Sequence, residues 1–117
     1  MLSRQHRVTR RRFSPILKAS RSYHSPAVSL RVALWPIQNN GSSSTRFAFI
    51  VSHKVAAKAV DRNKLKRRAR AIVREFLPKI KDNYGCLLFF KKMAVSLTYQ
   101  ELKKVIYDLL HLSSIIL

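Results

Sequence analysis

Acidic residues are scarce in this chain. Aspartate and glutamate together number 5 against 24 lysines and arginines, a formal net charge of +19 in 117 residues with an isoelectric point near 11.4. Hydrolysing a phosphodiester with protein groups takes carboxylates clustered on metal ions, or a well-placed acid and base. Asp61, Glu75, Asp82, Glu101 and Asp108 are instead scattered one to a segment, and His6, His24, His53 and His111 stand at no metal-ligand spacing with each other or with Cys86. The composition argues against an active site or a metal site built from this chain. Cysteine is nearly absent as well: Cys86, alone, forms no internal disulfide, which fits a reducing compartment. No apolar run approaches the roughly 20 residues of a membrane helix, and the basic opening residues Met1–Arg12 lead into no signal-peptide core. The expectation is a cytoplasmic protein with no membrane partner.

What is present is a core and a concentration of positive charge. Apolar residues make up 47% of the chain, and six phenylalanines, four tyrosines and one tryptophan suffice to fill one domain spanning 1–117. Within it, the nine residues Arg62, Asn63, Lys64, Leu65, Lys66, Arg67, Arg68, Ala69 and Arg70 carry six cations in under three helical turns. Six like charges so close repel one another until a polyanion neutralises them, and their sign and density point to nucleic-acid phosphates.

Periodicity places this cluster on a helix. Leu65, Ala69, Ile72, Val73, Phe76, Leu77 and Ile80 recur as a buried stripe. At 100° per residue, Asn63, Arg67, Arg70 and Arg74 fall within about 60° of one another on the opposite side, with Lys64, Lys66 and Arg68 on the flanks. Asp61 is the expected N-cap, and Pro78 is expected to end or bend the helix. Before it, Met1–Thr9 reads as a mobile basic arm and Arg10 to about Ser20 as a helix with Phe13, Ile16 and Leu17 on one face. Pro15 leaves two possibilities there: a helix kinked in its interior, or a shorter one capped by Ser14 with Pro15 in its first position. Ala27–Trp35 alternates as a half-buried strand, Pro36–Thr45 reads as a hairpin loop, and Arg46–Ser52 as the return strand with Phe47, Phe49 and Val51 inward. Tyr84–Phe90 is a nearly continuous apolar strand. Thr98 and Glu101 form a capping box opening a last helix with Leu102, Val105, Ile106, Leu109 and Leu110 on its core face, followed by a tail, 112–117, expected to fray. This order predicts an α+β fold, one small sheet packed with helices, in which the strands flanking the basic helix run parallel.

The stretch Phe47–Arg70 resembles the bacterial ribonuclease P protein family. It contains a Ser52, His53, Lys54 turn, the Ala59, Val60 pair, and then Arg62, Asn63, Lys66, Arg67 and Arg70 at the family's spacing. Phe13 in the first helix and Leu97, Thr98, Tyr99 before the last extend the similarity over most of the chain. The resemblance implies a small mixed sheet of about four strands, like the second domain of ribosomal protein S5, with a left-handed β-α-β crossover where general chirality favours the right-handed one. The sequence departs from the family pattern at Ala56 and Ala57 and at Ser20, where glycine is usual. Gly85 stands where aspartate is common, and Pro15 is atypical.

The resemblance also implies a role. In the family an RNA subunit is the catalyst: it holds the magnesium ions and removes the 5′ leader of precursor tRNA, and the protein assists. On this chain it assigns Arg62, Asn63, Lys66, Arg67 and Arg70 to the catalytic RNA, to which Lys64, Arg68 and Arg74 add the remaining cations of the same helix, and it assigns a groove around Phe13, Leu17, Lys18 and Arg31 to the single-stranded leader. Helical arithmetic puts Arg62 at the helix entrance, where it is placed to brace the preceding turn as well as reach RNA. Phe13 reads equally as a core residue or as a leader contact. Trp35 and Tyr23 read as packing or loop. The alternative to this role is a structural RNA-binding protein, such as a ribosomal protein; DNA binding is not expected, for no helix-turn-helix unit is evident.

Overall fold

The computed structural model describes residues 4–35 and 44–116. Strands β1 (Arg21–His24), β2 (Val28–Leu34), β3 (Arg46–Ile50) and β4 (Tyr84–Phe90) form one sheet in the order β1-β2-β4-β3. Helices α1 (Arg10–Ala19), α2 (Ala59–Phe76), α3 (Lys92–Val95) and α4 (Tyr99–Leu112) complete the chain. The mixed α+β class is the expected one, and β3, α2 and β4 form a unit whose two strands pair in parallel.

β4 explains the strand order. Its run of apolar residues is buried on both faces, the signature of a strand flanked on either side and covered above and below. It takes the centre, antiparallel to β2 and parallel to β3. The hairpin expected between Ala27–Trp35 and Arg46–Ser52 therefore does not exist, because β4 lies between those strands. The real hairpin joins β2 to β1, a strand the sequence reading did not see, with Tyr23 opposite Leu30. Its turn closes where Ser25 N donates to Val28 O at 2.9 Å and Val28 N donates to Ser25 Oγ at 3.0 Å. Most of the expected loop, 36–43, lies outside the described residues; Thr45, after it, is buried and donates through Oγ1 to Lys81 O.

Alternation gives the sheet two different faces. Val28, Leu30, Val32, Phe47, Cys86, Leu88 and Phe90 join the α2 stripe of Leu65, Ala69, Ile72 and Val73 and the α4 residues Leu102, Ile106, Leu109 and Leu110 in the main core. On the other face, Ala33, Leu87 and Trp35 are covered by Ile16 of α1, with Phe13, Leu17, Ile50 and Phe89 half-buried at the margin. Gly85 lies under this contact. A Cβ there would sit 2.7 Å from Ile16 Cδ1 and 3.3 Å from Trp35 Cε3, so the lack of a side chain lets α1 approach the sheet closely.

Several helix ends differ from expectation. α2 begins at Ala59, with Asp61 N and Arg62 N both donating to Lys58 O, so Asp61 sits in the first turn and is not the cap. There its charge still favours the helix dipole. α2 gives way to a 3-10 turn, Leu77–Lys79, at Pro78 as expected. α1 starts after Thr9 and keeps Pro15 in its interior. Pro15 leaves the Arg11 carbonyl without its helical donor, and both residues are exposed. α4 has the anticipated capping box, Glu101 N donating to Thr98 Oγ1 at 3.2 Å and Thr98 N to Glu101 Oε1 at 2.9 Å.

The described residues next to the termini pack against the domain. Arg4–His6 forms a 3-10 turn, Arg7 bridges to Phe47, and Val8 N donates to Phe47 O at 2.9 Å, which covers the outer edge of β3. After α4, Ile115 and Ile116 are buried, Ile116 bridges to Ile80, and Lys81 N donates to Ile115 O at 2.7 Å. Apolar residues so placed gain more from the core than from solvent.

Candidate nucleic-acid interface

Because the apolar stripe of α2 is turned into the core, the residues about half a turn away face outward. Asn63, Arg67, Arg70 and Arg74 line one groove of about 630 Å³, together with Ala71, Glu75 and Tyr99 from the start of α4. Its far wall is fixed by the Glu75 carboxylate, which accepts from Tyr99 Oη at 2.8 Å and from Lys103 Nζ at 3.0 Å. The Tyr99 hydroxyl and then the Lys103 ammonium hold the Glu75 carboxyl below the ordinary carboxylate range. Burial and the Glu75 carboxylate push the Tyr99 hydroxyl upward. The groove thus has a cationic side and one ionised acceptor.

The flanking cations divide into two kinds. Arg62 Nη1 donates to Ala56 O at 2.9 Å and to Ala57 O at 2.7 Å, bracing the turn before α2. Ala56 and Ala57, just before α2, are thus the residues whose carbonyls Arg62 holds. Arg68 Nη1 reaches Leu97 O at 3.5 Å, beside the entrance to α4. Lys64 is exposed next to Asp61, Arg68 and Val95, and Lys66 is half-buried on the other flank. Of the eight residues assigned to RNA, four converge on the groove, two also tie α2 to neighbouring loops, and two flank the face.

On the opposite side of the sheet, Phe13 sets its ring edge toward Phe89, with centroids 6.4 Å apart and an angle of 62°. Phe13 and Leu17 are half-buried and Lys18 is exposed. Arg31 Nη1 donates to Ser20 Oγ at 3.3 Å, and Ser20 Oγ to Leu17 O at 2.9 Å, so Arg31 is held at the C-terminal end of α1. Phe13 and Leu17 lie on this face, with Arg31 linked to Leu17 through Ser20, and Lys18 is exposed on α1. Trp35, buried beneath, has the Arg12 guanidinium 5.9 Å and the Arg46 guanidinium 4.8 Å from its ring centroid.

Sequence reasoning did not foresee Tyr99, Glu75 and Ala71 at the α2 groove, or Phe89, Arg12 and Arg46 at the α1 face. Glu75 carried a signal, as the one acid between Asp61 and Asp82. That Tyr99 would reach it depends on how α2 crosses α4, which no local pattern encodes.

Comparison with known proteins bears on the family. The family model described as Ribonuclease P matches residues 2–112. A ribonuclease P protein component of Microcystis aeruginosa is 30% identical over 112 residues, 95% of this chain and 92% of that protein. One from a Pseudanabaena species is 33% identical over 103 residues, 87% of this chain and 85% of its own. Among solved structures, the Staphylococcus aureus RNase P protein aligns with a TM-score of 0.82 at 19% identity, covering 96% of this chain and 98% of the other. The Thermotoga maritima RNase P protein aligns at 0.76 and 23% identity, covering 89% and 94%. The two structures show the fold; the family model and the two relatives, over a chain that carries the Arg62–Arg70 cluster on an outward helix face, show that this chain belongs to the ribonuclease P protein family.

Proposed function

We propose that this chain binds the catalytic RNA of ribonuclease P through α2 and the 5′ leader of precursor tRNA through the α1 face of the sheet, in the cytoplasm. The RNA performs the magnesium-dependent cleavage. The observation that carries this reading is the convergence of Asn63, Arg67, Arg70 and Arg74 on one groove opposite the buried stripe. Catalytic RNA and precursor tRNA are both polyanions, and a protein of net charge +19 between them lowers their repulsion and the bulk magnesium needed to screen it. Among the described residues no three metal-ligating side chains come together. In this reading magnesium is held by the RNA.

The α1 face suits the leader chemically. An aromatic at the margin with cations near it lets a base stack while phosphates are tracked. Phe13 on α1 and Arg31 on β2 supply the two parts, and Lys18 extends the charge along α1.

The test is assembly. Arg67→Ala combined with Arg70→Ala should weaken binding to catalytic RNA and lower the log–log salt slope by about two units, one per lost phosphate contact. Circular dichroism should be unchanged, because both side chains point away from the core. An unchanged slope would remove α2 as the binding face. Wild-type binding without restored precursor cleavage at low magnesium would leave only a structural RNA-binding role.

A further inference from the structure

Glu75 is out of place on a face that attracts phosphate. A carboxylate there repels the backbone of any nucleic acid, yet this one lines the same groove as Arg67, Arg70 and Arg74. Its side chain is 46% exposed, so water and ligands reach it. Each oxygen already accepts one hydrogen bond, from Tyr99 Oη or Lys103 Nζ, and each has capacity for a second. Two acceptors are therefore presented side by side in a fixed orientation.

The walls complete a shape. Three guanidinium groups occupy one side, while Ala71 and Tyr99 contribute apolar surface beside the carboxylate. The volume, about 630 Å³, falls within the roughly 300–1,000 Å³ of small-ligand sites. RNA is read in sequence chiefly where an unpaired base is splayed out and hydrogen-bonded along its Watson–Crick edge. Of the four bases, guanine alone offers two adjacent donors on that edge, N1–H and the N2 amino group. Adenine, cytosine and uracil offer one each.

We infer that the groove between α2 and α4 holds one unpaired guanosine of the bound RNA, its phosphate among Arg67, Arg70 and Arg74 and its Watson–Crick edge on the Glu75 carboxylate. This rests on the reading that α2 faces RNA, and it makes Glu75 a base-selecting residue. Tyr99 and Lys103 orient the carboxylate for it.

The full-length protein is titrated with 5′-GMP, 5′-AMP and inorganic phosphate at one ionic strength, following the Ala71 methyl and Tyr99 ring signals by NMR. GMP should bind roughly tenfold more tightly than AMP, the scale of one bidentate base contact. Glu75→Gln still offers Tyr99 an acceptor, but it sets an amide donor against the guanine donors; it should erase the GMP preference while leaving phosphate binding equal or stronger. Equal GMP and AMP affinities in the wild type would overturn the inference, as would a Glu75→Gln variant that weakens both nucleotides alike, the result of a merely structural anchor. Assembly of the same variant with catalytic RNA is measured in parallel. If base preference is absent while that assembly still depends on Arg67 and Arg70, the guanosine site alone is wrong; if the assembly does not depend on them, α2 is not the RNA face.

Discussion

At the scale of single residues, the helical arithmetic of α2 told most of the story. Leu65, Ala69, Ile72 and Val73 are buried and Asn63, Arg67 and Arg74 exposed, because a period of 3.6 fixes which side chains share a face. Arg62 is the informative case. Its angle near the apolar edge marked it as a brace, and its bonds to Ala56 O and Ala57 O are that brace. Phe13 stood between two readings, core or leader contact, and its geometry belongs to both, half-buried with an edge toward Phe89. Function can separate the contributions. Phe13→Ala with Lys18→Ala should lower holoenzyme affinity for precursor tRNA bearing a leader by about 1–3 kcal/mol, the cost of losing a stacked base. Mature tRNA should bind as before. A double variant that retains its full preference for the leader-bearing precursor would return Phe13 to the core and Lys18 to the solvent.

At the scale of elements, α2, β4 and α4 were legible because each carries its own signal: a stripe, a continuous apolar run and a capping box. β1 and α3 were not. With four residues apiece, neither is long enough to show a period. The pairing of strands was misread for a different reason. Alternation says which face a strand buries but not which neighbour it takes, and the clue was in β4, whose two apolar sides required neighbours on both edges. α4 is closed at both ends by side chain and backbone. The Thr98–Glu101 box opens it; at the far end Ser114 N donates to His111 O at 3.0 Å and Ile115 N to Leu110 O at 3.3 Å, a Schellman motif. Ser114 adopts φ 64° to make it, a conformation that costs a residue with a Cβ. Ser114→Gly should therefore raise the stability of the protein by about 1 kcal/mol in denaturant unfolding. A lower midpoint would show that the hydroxyl contributes more than the strain costs.

At the scale of the molecule, the class of fold and the location of its charge followed from composition and period, while the sheet order did not. That order, β1-β2-β4-β3, puts the strand nearest the C-terminus between two made earlier. A chain synthesised from its N-terminus consequently holds β3 without its ladder partner until residues 84–90 appear, and α2 without the sheet its stripe needs. The seven cations of α2 spend that interval on a helix whose stripe lacks part of its core. Contacts so distant in sequence form late and together. Folding of this subunit thus waits on the synthesis of β4: a chain ending at Asn83 should show no cooperative thermal transition, and a folded truncated chain would refute this ordering in time.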